Sequence, residues 1–137
     1  MSTKLYISFT TIPSRINNIV EVLNSIQKQT LQPDKIIINY PDKLLRLKTI
    51  SDITKFIQLI ENHELYKTNK IYLNKCSDYG PITKLYPLIN LNFINNEDMI
   101  IIIDDDNEYN KYLFEKLVEQ FKKYNCSECI TLSGLLY

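Results

Sequence analysis

Hydrophobic positions fall into two alternating rhythms along the chain. Residues Lys4 to Thr10 alternate in polarity and are rich in β-forming side chains, which predicts a first strand. After Pro13-Ser14, Ile16, Ile19, Val20, Leu23 and Ile26 recur at helical spacing, so an amphipathic helix is expected to run to about Gln29-Thr30. Ile36 to Tyr40 is a short apolar run halted at Pro41, a second strand. Ile50, Ile53, Ile57 and Ile60 mark a second helix, and Lys70 to Leu73 a third strand. Pro81 suits the first turn of a further helix carrying Leu85 and Leu88. Met99 to Ile103 reads as a buried fourth strand, Leu113, Leu117, Val118 and Phe121 line a last helix, and a final strand is expected near Glu128 to Leu132.

Helices alternating with short, nearly all-apolar strands predict an open, mostly parallel sheet covered on both faces. The expected fold class is therefore α/β, a Rossmann-like sheet flanked by helices. Neither repeat nor linker divides the chain, so residues 1–137 are expected to form one domain. In such sheets ligands bind beyond the carboxyl ends of the strands. Thr10-Thr11, Asp78-Tyr79-Gly80 and Asp104-Asp105-Asp106 all fall at that edge.

The three adjacent carboxylates of Asp104, Asp105 and Asp106 repel one another unless water, hydrogen bonds or a metal compensates. Alternation along an extended chain places Asp104 and Asp106 on one side and Asp105 on the other. Oxygen-only ligands suit Mg²⁺ or Mn²⁺, which keep positions open for water and substrate phosphates. A solvated acidic turn capping the next helix is the alternative.

Competing motifs fail on their own requirements. With glycine only at Gly80 and Gly134, the chain has no glycine-rich turn for a dinucleotide fingerprint or a phosphate-binding loop. Asp104, Asp106, Glu108 and Glu115 mimic calcium-loop spacing, but Tyr109 stands where the sharp turn requires glycine, and a strand precedes the loop. A phosphoacceptor site would need paired acids after the first strand, where Thr10, Thr11 and Ile12 stand.

Charge narrows the partners. Sixteen basic and sixteen acidic residues balance without a basic face or tail, which argues against nucleic-acid binding. No apolar run approaches a membrane span and no signal pattern precedes the first strand, so a cytoplasmic protein is expected. Cys126 and Cys129 form a single C-x-x-C that Cys76 and His63 do not complete at any familiar zinc spacing. These cysteines are read as plain thiols.

Three segments, Ser8 to Arg15, Asp78 to Lys84 and Ile103 to Asp106, together resemble the nucleotide-sugar glycosyltransferases of the GT-A fold. The likeness is greatest to the small glycosyltransferase domains of large DNA viruses and some bacteria. In that family the strand-end acids form a D-x-D motif whose first carboxylate tends to bind ribose and whose last binds the metal bridging the diphosphate. The resemblance assigns Asp104 and Asp106 to Mn²⁺ or Mg²⁺. It lays Thr10, Thr11, Arg15, Asp78, Lys84, Asp104 and Asp105 along the nucleotide. A carboxylate such as Asp78 can accept the imide N–H of uracil, and Lys84 can place a point charge on phosphate. Asp78 as a cap before Pro81, Lys84 and Arg15 as surface residues and Tyr79 as a rim residue are the blander alternatives.

The implied activity is transfer of a sugar from a nucleotide-diphosphate donor, UDP-sugar favoured, to a glycan or other acceptor hydroxyl. A non-catalytic nucleotide-sugar-binding remnant or an assembly module is the alternative. The family's general base follows the core strand ending here near Leu132, and the chain stops at Tyr137, so no base is assigned. The acceptor-binding half is expected to be missing, through truncation or through completion by association, and an oligomer is possible.

Overall fold

The computed structural model describes residues 3–12, 15–41, 50–126 and 130. Four strands, β1 (Leu5–Thr10), β2 (Lys35–Pro41), β3 (Ile71–Cys76) and β4 (Met99–Ile102), form a parallel sheet in the order β3-β2-β1-β4. The helices are α1 (Ile16–Gln27), α2 (Ile50–Glu61), the short α3 (Glu64–Lys67) and α4 (Leu113–Lys123), with 3₁₀ turns at Gly80–Lys84 and Tyr86–Asn90. The architecture is α/β and Rossmann-like.

Strand periodicity sorts the core into two layers. Ile7 pairs with Ile36 and Phe9 with Ile38, and these four fully buried side chains meet Ile19, Val22, Leu23 and Ile26 of α1, Phe56 and Ile60 of α2 and Phe114 of α4. On the opposite face Tyr6 and Ile37 pack with Leu88, against Leu91, Phe93, Ile94 and Ile100. Because β2 is sandwiched on both faces and both edges, its Ile36-Ile37-Ile38 run is wholly buried.

Several expected elements take a different form. The helix anticipated from Pro81 is instead two 3₁₀ turns, with Leu85 and Leu88 N–H groups donating to Ile82 and Leu85 carbonyls. Pro87 explains the break, because it has no N–H to donate back to Thr83 and its ring would crowd that carbonyl. Of the pair expected on this helix, Leu88 is buried and Leu85 exposed. The fourth strand is not a fully buried run: Met99, Ile100 and Ile101 are half-buried and Ile102 is 38 % exposed, since β4 ends the described sheet on that side. Ile103 leaves the strand, yet its N–H still donates to the Ser8 carbonyl at 3.0 Å.

The second helix buries Phe56 as well as Ile60, and the last buries Phe114 and Val118 while Leu113, Leu117 and Phe121 are half-buried. Pro13-Ser14, Cys129, Gly134 and most of the expected Glu128–Leu132 strand lie outside the described residues. Among the described residues no helix is long and apolar enough to cross a membrane.

Strand order positions the site. From β1 the chain steps outward through β2 to β3, then crosses back to lay β4 on the other side of β1. Connections leaving β1 and β4 therefore diverge, opening the crevice where α/β sheets bind ligands.

Candidate functional site

A cavity of about 310 Å³ opens at that point. Every residue that the resemblance assigns to nucleotide or metal lines it: Thr10, Thr11, Arg15, Asp78, Lys84, Asp104, Asp105 and Asp106, joined by Ile12, Pro41, Gly80 and Pro81. Residues up to 96 positions apart in sequence, Thr10 and Asp106, thus share one wall. Tyr79 is not among the lining residues; it is exposed and edge-on to Tyr86 with ring centroids 4.8 Å apart.

The acids separate by burial as alternation predicts, with Asp104 and Asp106 exposed and Asp105 buried. Two are compensated by cations from other elements. Arg15, at the threshold of α1, donates to Asp105 Oδ1 at 2.7 Å, and Lys84 Nζ sits 2.9 Å from Asp104 Oδ1. Hydrogen bonding to Asp105, reinforced by its charge, holds the Arg15 guanidinium pKa above its ordinary value. Asp106 accepts a hydrogen bond from the Asn107 side-chain amide at 3.2 Å. Asp78 lines the cavity, and its Oδ1 accepts the Gly80 N–H at 2.9 Å; the cap position of the 3₁₀ turn is Tyr79, which makes no side-chain cap bond, and Gly80 takes a φ of +69° that suits glycine.

Supporting residues escaped the sequence reading. Tyr109 grips the acidic loop by its backbone, its hydroxyl accepting the Asp104 N–H at 2.9 Å and donating to the Asp104 carbonyl at 2.8 Å. Burial, foremost, pushes the Tyr109 phenol pKa up, so the hydroxyl keeps the proton it donates. Ser25 of α1 brackets the Tyr109 backbone, its Oγ accepting the N–H at 2.6 Å and lying 3.1 Å from the carbonyl. Beneath Lys84, Ser8 Oγ donates to the Lys84 carbonyl at 2.6 Å and accepts from the Asn39 amide at 3.0 Å. Tyr109 stands where a calcium loop requires glycine, and Asn39 interrupts an apolar run. Their polarity in those settings was the available signal.

Among the described lining residues, the side chains able to ligate a cation, those of Thr10, Thr11, Asp78, Asp104, Asp105 and Asp106, offer oxygen. Among the described residues no three His, Cys, Asp or Glu side chains are gathered into a set able to hold a metal ion by themselves. Mg²⁺ and Mn²⁺ are also held by one or two carboxylates completed by water and substrate phosphates, and Asp104 and Asp106 are the exposed acids of the cavity wall.

No protein-family model matches the chain, and no curated protein matches it in sequence. Solved structures match its fold. Residues 1–349 of TarS from S. aureus, in complex with UDP, align over 90% of this chain with a TM-score of 0.56 and 15% identity. A second structure of TarS 1–349 aligns over the same share with a TM-score of 0.60 and 16% identity, and a structure of TarS with 0.58 and 18%. The chain spans 33% of the TarS 1–349 chains and 20% of the TarS chain. At such identities the likeness shows a shared fold.

Proposed function

We propose that the cavity is the donor site of a metal-assisted glycosyltransferase that takes a nucleotide-diphosphate sugar, UDP-sugar favoured, and transfers the sugar to an acceptor hydroxyl. The charge inventory carries this reading. Among the described residues that line the cavity, four carboxylates, Asp78, Asp104, Asp105 and Asp106, stand with two cations, Arg15 and Lys84, a formal charge of −2. Both cations are already ion-paired. A diphosphate would be repelled from such a wall unless a divalent ion entered with it, and the D-x-D carboxylates offer that ion its ligands. The match to a TarS structure in complex with UDP supports the same ligand class.

In this reading Asp106, with Asp104, would hold Mg²⁺ or Mn²⁺. When bound, the ion supplies Lewis-acid neutralisation of the diphosphate leaving group. Arg15 and Lys84 keep positive charge at the wall, and Asp78 would accept an imide N–H from the base. Tyr109 holds the acidic loop in register with the cavity.

Asp106→Ala tests the assignment. UDP binding by this variant is expected to lose its dependence on Mn²⁺, falling at least tenfold in the presence of the metal, while the circular-dichroism unfolding transition stays where it was. Metal-stimulated binding equal to that of the parent chain would contradict the assignment.

A further inference from the structure

A second cavity, of about 390 Å³, lies on the face of the sheet away from α1, lined by Lys4, Tyr6, Asp34, Lys35, Tyr72 and Phe93. Strand register explains the grouping. Lys35 pairs with Tyr6 and Tyr72 with Ile37, so alternation puts these side chains, and Lys4 two residues before Tyr6, on one face. Among the described residues that face is covered by 3₁₀ turns and the loop after them, not by an α-helix, with Leu88, Leu91, Phe93 and Ile94 packed on Tyr6 and Ile37. Lys4 precedes β1, whereas Thr10 of the donor cavity ends it, about 20 Å further along the strand. The two cavities share none of their described lining residues.

Three kinds of chemistry meet in this second cavity. Phe93 is tilted to Tyr6 with ring centroids 5.9 Å apart and stands edge-on to Tyr72 at 5.1 Å. Such crossings leave each ring a face that its partner does not cover, and Tyr72 is 37 % exposed. Lys4 and Lys35 bring ammonium groups that make no ion pair among the described residues. Asp34 brings a carboxylate whose Oδ2 accepts the Leu5 N–H at 2.7 Å. A cation, the usual guest of clustered rings, would meet two ammonium groups. A compact anion such as pyrophosphate would gain nothing from the rings and would meet Asp34 as a like charge.

We infer that this cavity is a second ligand site and that it takes an acidic sugar, a pyranose carrying a carboxylate. The C–H face of the pyranose packs on the negative faces of the aromatic rings. Its carboxylate pairs with Lys4 or Lys35, and its hydroxyls donate to Asp34. One ligand thereby uses all three kinds of group. The inference goes beyond the donor-site reading and does not depend on it.

Titration with D-glucuronate, D-glucose, acetate and benzoate, followed by NMR at the tyrosine and phenylalanine ring signals, provides the test. Glucuronate is expected to shift the signals of Tyr72 and Phe93 and to bind about threefold or more tightly than glucose, acetate or benzoate. Tyr72→Ala and Lys35→Met should each weaken it about threefold, the effect of one lost ring contact or one lost ion pair. UDP titrated with Mn²⁺ should bind equally well with and without glucuronate, since the two cavities are separate. Glucose binding as tightly as glucuronate would remove the role of the lysines, and acetate doing so would remove that of the rings. Either result would overturn the acidic-sugar site, as would tighter binding of benzoate, competition between glucuronate and UDP, or unmoved Tyr72 and Phe93 signals. The comparison among ligands uses the parent chain alone, so it decides even where a variant fails to fold. None of these outcomes bears on whether the donor cavity takes UDP with a metal.

Discussion

Asn39 is fully buried within an otherwise apolar strand, and its amide is used on both sides. Its nitrogen donates to Ser8 Oγ at 3.0 Å and to the Phe9 carbonyl at 3.1 Å, while its oxygen accepts from the Asn74 amide at 2.8 Å. Ser8 passes the chain of bonds to the Lys84 carbonyl. Three strands thereby fix the backbone from which Lys84 reaches Asp104. Nothing in the sequence told which polar atom these residues serve, because their partners come from β3 and from a turn 76 residues downstream of Ser8. If Ser8 acts on the ligand through Lys84, the two should be coupled. Ser8→Ala is expected to weaken UDP binding about threefold in the parent chain and not at all in a Lys84→Met background. Its stability cost of about 1–3 kcal/mol, from the stranded Asn39 amide, should appear in both. Equal losses of affinity in both backgrounds would show that Ser8 does not work through Lys84.

At the scale of elements, caps and turns decide what periodicity alone did not. The apolar stripes of α1, α2 and α4 were legible because burial selects every third or fourth residue. The four-residue α3 was not, since it has too few residues to show a period and rests on its cap. His63 Nδ1 accepts the Leu65 N–H at 3.1 Å, which leaves the ring proton on Nε2 facing Asn24 Oδ1 at 2.8 Å. Burial is the main cause that lowers the His63 pKa below the ordinary 6.5, against a smaller opposing pull from Glu64. The unfolded chain therefore binds a proton more readily than the folded one. Stability from neutral His63 is present above pH 6.5 and declines as pH falls below it. His63 is the chain's one histidine, so the test is clean. Between pH 7.5 and 5.5 the unfolding midpoint should drop in the parent and stay nearly level in His63→Asn, which keeps a capping oxygen. Parallel profiles would refute the role of the cap.

For the molecule as a whole, alternation of strands and helices announced the parallel sheet, and strand ends announced which side of it binds. What could not be read was strand order. That β4 lies against β1, and not beyond β3, is what brings Asp105 to Arg15 and Asp104 to Lys84. The same order leaves β4 half-exposed at the end of the described sheet, so an isoleucine run that reads as buried is so only in part. The candidate site was legible residue by residue because polar groups at carboxyl ends of parallel strands have one crevice to share. Its ion pairs were not, since they depend on side chains meeting across elements.

The most direct measurement is isothermal titration of the chain with UDP in the presence and absence of Mn²⁺. A cavity whose described lining carries a formal charge of −2, with Arg15 and Lys84 both ion-paired, is expected to bind UDP at least tenfold more tightly with the metal than without it. Binding of UDP that is indifferent to Mn²⁺ would contradict a metal-assisted donor site at Asp104 and Asp106.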